Sequence, residues 1–540
     1  MRARHLCTMV AVALCVVAGC DSSEDPGSSS QLIDRERVLR RGNGGEPQTL
    51  DPALAEDVHT FNILGDLYEG LIIGDREGNL LPGAAERWDV SPDGRQYTFR
   101  LRRDSVWSNG DPVHAQHFVA AFQEVLSPGT TSPYSFLLEP VRNYQAVLSG
   151  KLPPEELGIQ AIDEQTLVIN LDSPAPYFPG ILAMPIAFPL HPGVGEGPGK
   201  FADPELFVGN GPYMLESWSF GEKIRLRKNP KYRNAHSVQI DAVDYLPITD
   251  PNTEFNMFRA GELDITFTVP KVSIASLRES RPEELFLAPS LGLYYLAFDL
   301  SEPPFDDVRL RQALTMAIDR QTLVNLLGRG EQAAFGIVPP GVANHVPTSF
   351  KWQFMATDER EDSARRMLEQ AGYDPESLPP IKLTYVAGDV HETVALAVAS
   401  MWQDVLGMEV LLEKKEWKFF LATRDVHSAW QAMQFSWIGD YNDPGTFIDI
   451  FRSDSQQNLP GYVNPHYDRL LDDADVILEL DTRAERISAA ESRLLEDYPI
   501  APLYFYVSKH LVSSRVQNFE SNVLDRHPTQ FLRLTPPDPD

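Results

Sequence analysis

Two stretches of this chain carry residue types that do chemistry elsewhere, and in each the spacing is wrong for it. Gly195-Glu196-Gly197-Pro198-Gly199-Lys200 is glycine-rich. It lacks a glycine five positions before Gly199 and has Phe201 where a magnesium-binding hydroxyl must stand, so it is no phosphate cradle. His391-Glu392 begins like a zinc-protease helix, but Ala395 occupies the position of the second histidine one turn on. There is no Gly-x-Ser-x-Gly elbow. All three cysteines, Cys7, Cys15 and Cys20, lie in the first 20 residues, so the rest of the chain has no thiol for a disulfide, a thiolate metal site or a nucleophile. Nothing positive favours an enzyme, and no metal or cofactor is implied.

The N-terminus reads as an export signal. Arg2 and Arg4 precede an apolar run from Leu6 to Ala18 that is interrupted only by Thr8, and this run is too short to span a bilayer. Val17-Ala18-Gly19-Cys20 resembles a bacterial lipobox, which makes Cys20 the expected lipid anchor and residues 1–20 a removed lipoprotein signal peptide. Asp21 resembles an inner-membrane retention signal. Residues 21–34 are Ser, Asp, Glu, Pro and Gly with little apolar content, as expected of a flexible tether between the lipid and a folded body. The expected location is therefore periplasmic and membrane-anchored.

A formal net charge of -30 argues against nucleic-acid binding, because phosphate affinity rests on clustered Lys and Arg. With 43% hydrophobic residues, the body of roughly 500 residues can bury several cores. Alternating apolar positions predict strands at Tyr97-Phe99-Leu101, Leu167-Ile169-Leu171 and Ile224-Leu226, and the continuous run Leu293 to Leu300 predicts a buried one. One helix is expected after Asp306-Asp307, running to Gly328. Another carries Val394 to Val405 and ends at Gly407, and a third is capped by Asp481 and stops before Pro499. These alternate with strands at Ile381 to Val386, Met408 to Leu412 and Ala432 to Trp437, so the C-terminal half reads as α/β. The segment Pro189 to Gly199 reads as a surface loop.

Six motifs follow one another along the chain: Gly45-Glu46-Pro47-Gln48-Thr49-Leu50-Asp51-Pro52, Leu67-Tyr68-Glu69-Gly70-Leu71, Trp107-Ser108-Asn109-Gly110-Asp111-Pro112-Val113, Asn210-Gly211-Pro212-Tyr213, Arg227-Lys228-Asn229-Pro230-Lys231-Tyr232 and Asp307-Val308-Arg309-Leu310-Arg311-Gln312-Ala313. Together they resemble the peptide/nickel-type extracytoplasmic solute-binding family over nearly the whole mature chain. Ser436-Trp437-Ile438-Gly439-Asp440-Tyr441-Asn442-Asp443-Pro444, with Glu416-Trp417-Lys418-Phe419-Phe420, is most similar to the family's oligopeptide-binding branch.

The resemblance implies an α/β, two-lobed binding-protein fold with an extra domain, mixed sheets flanked by helices and a hinge between the lobes. The implied domains are a discontinuous first (35–58, 184–290 and 506–540), a second at 59–183 and a third at 291–505. The implied function is capture of short peptides for the permease subunits of an ABC importer, by a monomer that binds no nucleotide itself. The alternatives are a nickel complex, haem or oligosaccharide in the same fold, or peptide sensing without import. Among site residues, the resemblance makes Asp440 the partner of a ligand α-ammonium, although an aspartate in this motif also suits an Asx-turn. It makes Trp437 and Trp417 pocket walls, sets Glu46 in a strand beside the ligand, and puts Arg424 and His391 along the pocket or at the ligand's C-terminal end. Tyr134, Tyr295 and Tyr506 complete the set. Gln434 departs from the pattern, standing where an arginine is expected to meet a ligand carboxylate.

Overall fold

The computed structural model describes residues 37–193, 200–374, 379–424, 426 and 429–535. The signal, Cys20 and the tether lie outside these, as does most of the Gly195 to Lys200 motif.

Three sheets organise the chain. The first sets Val38–Gly42 parallel to Ala242–Leu246 and continues antiparallel through Lys223–Lys228 to Tyr213–Ser219. The second is an antiparallel sheet of Ala85–Val90, Gln96–Leu101, Thr166–Asn170 and Ile159–Ala161. The third has six strands in the order Gln332–Ala333, Ile500–Leu511, Leu285–Phe298, Ala432–Ile438, Ile381–Val386 and Val410–Lys415, the last three mutually parallel. The helices Val308–Ala317, Thr357–Ala371 and Asp389–Leu406 pack together beside it, and that side of the molecule shares one core. The first two sheets share a second core. A mixed α/β architecture is what alternating strand and helix periodicity requires.

Two helix expectations need correction. The segment after Asp307 is two helices, Val308–Ala317 and Arg320–Leu327, because Ile318 is extended and the Asp319 carboxylate accepts Thr322 N at 3.0 Å to cap the second. The helix expected to start from Asp481 is capped by Glu479, whose carboxylate accepts the amides of both Asp481 and Thr482. A longer acidic side chain thus takes the capping role.

The motifs that carry the family resemblance are mostly buried clamps. Glu69 receives Arg233 Nη2 at 2.6 Å and the Tyr232 hydroxyl at 2.7 Å, while Asn210 bonds both the amide and the carbonyl of Glu69. A Cβ on Gly211 would lie 2.5 Å from the backbone of Leu67 and Tyr68, so only glycine lets these segments meet. Arg311 donates to the carbonyls of Phe305, Asp497 and Tyr498. Buried cations satisfied in this way lock chain crossings that apolar packing alone would leave free to slide.

The two longest strands join the cores. Leu285 to Pro289 pair with Val507 to Leu511, and Leu293 to Ala297 pair with Ile500 to Phe505, with a register break between Pro289 and Leu293. Leu285, Leu287 and Leu511 pack in a small third core with Phe258 and Ile274, whereas Leu293 to Phe298 belong to the large one. Bulges of this kind bend a strand and re-aim its neighbours.

Candidate functional site

Asp440 sits at that crossing. The strand Ala432–Ile438 ends one residue before Gly439, whose amide donates to Leu291 O at 2.8 Å inside the register break. A side chain on Gly439 would press on Thr446 and Phe447. Beyond Asp440 the chain turns, but the turn is made by another residue. Asp443 accepts Gly445 N at 2.9 Å and is gripped by Arg483 through both carboxylate oxygens at 2.7 and 2.9 Å. Asn442 accepts Ala343 N at 2.8 Å. The Asx-turn role therefore belongs to Asp443, and the Asp440 carboxylate is left to the cleft.

Asp440 borders two adjoining cavities of about 360 and 260 Å³ that share Arg41, Phe61, Asn62, Leu524 and Arg526 as walls. Tyr134, which packs edge-on against Phe61, sets its hydroxyl beside Asp440, close enough to favour the carboxylate form. Burial pushes the Asp440 carboxyl up to about 6, against the opposing pull of the Tyr134 hydroxyl and the Arg526 charge. The Tyr134 phenol is raised in turn by burial and by the neighbouring carboxylate. Among the described residues the Asp440 carboxylate makes no ion pair within 4 Å, so in its partly desolvated surroundings an enclosed ammonium would be its natural complement.

The other candidate residues divide between the faces of the six-stranded sheet. On one face, His391 Nδ1 meets the Tyr294 hydroxyl at 2.5 Å, and that hydroxyl donates to Gln434 Oε1 at 2.7 Å. Tyr506 lies on the same face, its ring edge-on to Tyr504 and its hydroxyl beside Ser436. Burial and Arg329 lower the His391 imidazole. On the opposite face, Arg424 lies over the Phe435 ring and Trp417 stacks on Phe420, with Trp417 still 56% exposed. Tyr295 is 1% exposed and wedged edge-on against Phe435 and Phe451, a core position with no cleft-facing surface. Trp437 is half-buried, and its indole N–H finds no partner among the described residues. Glu46 is bound to Trp218 Nε1 and Gly221 N in the first sheet's hairpin, apart from Asp440. The structure thus brings Tyr134 to Asp440 and His391 near Tyr506, and it does not gather all nine in one contact set.

Sequence reasoning missed the C-terminal contribution. Asp525-Arg526-His527 enters the cleft wall from a segment without periodicity, where the only signal was a polar run before Pro528. His510 bonds Thr266 O and Asp525 Oδ1, both at 2.7 Å, and His527 Nε2 reaches the same oxygen at 3.1 Å. Burial opposes charge on His510, but Asp525 overcomes it and holds the imidazole above its ordinary value. His527, buried beside that cation, is pushed down to about 4.

The comparisons agree with this architecture. The model of the bacterial extracellular solute-binding proteins, family 5, matches residues 79–458. The periplasmic oligopeptide-binding protein OppA of Salmonella typhimurium is 36% identical over 512 residues, covering 93% of both chains. The probable deoxycholate-binding periplasmic protein YgiS of Escherichia coli is 36% identical over 487 residues, covering 90% of this chain and 91% of that one. The periplasmic murein tripeptide binding protein MppA in its unliganded open form superimposes with a TM-score of 0.86 at 33% identity, over 92% of this chain and 97% of that one. Matched by that family's model over residues 79–458 and by a 36% identical relative over 93% of its length, this chain belongs to the bacterial extracellular solute-binding proteins of family 5.

Proposed function

We propose that this protein captures short peptides by their free amino end and delivers them to an ABC importer. The observation that carries the reading is the Asp440 carboxylate, freed of turn duty by Asp443 and held with a raised proton affinity at the junction of two cavities. A receptor for many peptides must grip what all of them share, the backbone and the charged ends, and leave side chains in roomy pockets. The oligopeptide-binding name of a 36% identical relative supports that ligand class.

In the finer reading, Asp440 pairs with the α-ammonium, Tyr134 steadies Asp440, and Trp437, Trp417 and Arg424 form one wall as the lobes close. His391 and Tyr506 serve the far end of the ligand. Domain limits near residues 58, 183, 290 and 505 are supported by the sheets, each of which is completed by strands from within those ranges apart from the two crossing strands. The chain acts as a monomer tethered through Cys20 on the periplasmic side. Binding that favours the closed form would let the transporter distinguish loaded from empty protein.

Calorimetry with trialanine, N-acetyl-trialanine and sodium deoxycholate tests the reading. Binding of trialanine with little or none of the other two supports it. Binding of deoxycholate alone would put the chain with the relative named as a probable deoxycholate-binding protein instead.

A further inference from the structure

Arg526 is a cleft cation near the Asp440 charge whose guanidinium has no hydrogen-bond acceptor among the described residues. Its backbone is pinned by Asn522, which bonds both its amide and its carbonyl, and its guanidinium lies over the Phe61 ring at 5.8 Å. Yet no hydrogen bond from the guanidinium to any acceptor is found among the described residues, although it lines both cavities that border Asp440. The other arginines here are engaged: Arg41 donates to His527 O and Thr529 Oγ1, and Arg483 holds Asp443. Five N–H donors in a planar fork, partly desolvated and unmatched, suit a carboxylate above other groups. The loop holding Arg526 is also fixed in place, since the adjacent Asp525 is bound by two histidines.

Resting on the peptide reading of the cleft, we propose that Arg526 selects ligands that carry a carboxylate close to their α-ammonium. Asp440 takes the ammonium and Arg526 the carboxylate, so the pair reads a zwitterionic head. Two sources supply that chemistry: an acidic side chain on the first residue, or the C-terminus of a dipeptide. Without such a group, Arg526 stays unsatisfied in the closed cleft or keeps water there, and affinity falls.

Calorimetry at pH 7.5 with Glu-Ala-Ala, Gln-Ala-Ala, Ala-Ala and Ala-Ala-amide, on the wild type and Arg526→Gln, tests this. The wild type is expected to prefer the carboxylate member of at least one pair by about tenfold or more. The pair that discriminates identifies the carboxylate's source. In Arg526→Gln that preference should collapse to about twofold or less, the carboxylate member losing more affinity than the neutral one, and Arg526→Lys should restore part of it. Absence of preference in both wild-type pairs overturns the proposal. So does an equal loss for all four ligands in Arg526→Gln, which would make Arg526 only the counter-charge of Asp440. Failure of all four to bind the wild type would instead refute peptide capture, and this inference with it.

Discussion

Asp443 and Arg483 form a two-pronged ion pair, both side chains almost wholly enclosed, three residues beyond the carboxylate that faces the cleft. Arg483 belongs to the helix Leu480–Asp497 and Asp443 to the loop after the strand Ala432–Ile438, so the pair fixes where Asp440 points.

Breaking that pair leaves one buried charge without its partner. Arg483→Ala is expected to cost about 3–5 kcal/mol of stability, read as a lower urea midpoint. A midpoint within error of wild type would show the loop is held by other contacts.

Asp440→Asn keeps the shape and removes the anion. Affinity for a free-amino tripeptide should fall by roughly a hundredfold, and much less for its N-acetyl counterpart, which has no ammonium to match. Residue and ligand thus form a double-mutant cycle. Equal losses for the two peptides would move the amino end elsewhere in the cleft.

With the Asp440 carboxyl pushed up to about 6, peptide affinity should weaken by about tenfold between pH 7 and pH 5 as the anion is protonated. The ligand-free fold responds in the opposite sense. Because the folded state holds this proton more tightly than the unfolded one, Asp440 contributes stability below its unfolded value that is lost as pH rises through about 6. Asp440→Asn should therefore raise the ligand-free melting temperature at pH 7.5 by roughly 1–2 °C, a gain that shrinks toward pH 5. A pH-independent affinity in this range would contradict the assignment.

Tyr134→Phe removes the hydroxyl that favours the Asp440 carboxylate and should weaken tripeptide binding by about three- to tenfold, while shifting the affinity loss to higher pH. An unchanged pH profile would mean that the hydroxyl does not act through Asp440.

Cys20→Ser should release protein from membranes of an expressing bacterium, and intact mass of the wild type should show the lipid. A wild-type mass without lipid would remove the anchor.

The strands at Tyr97 to Leu101, Ile381 to Val386 and Ala432 to Trp437 were legible because side-chain alternation and apolar runs are local consequences of burial. The helix ending at Gly407 was legible through its left-handed cap. The break at Ile318 was not, since apolar spacing continues across it and only the Asp319 cap ends one helix and starts the next. The family, too, was written in local motifs such as Leu67-Tyr68-Glu69-Gly70-Leu71, though the structure makes that one a clamp on Arg233. Which aspartate of Asp440-Tyr441-Asn442-Asp443 builds the turn and which faces the cleft depended on Arg483, 40 residues further on. Tyr294 and Tyr295 are neighbours in sequence, and strand register alone turned the first toward His391 and the second into the core. Arg526 and the histidines beside it became part of the cleft only because the C-terminal segment folds back there, a long-range closure that no local pattern encodes.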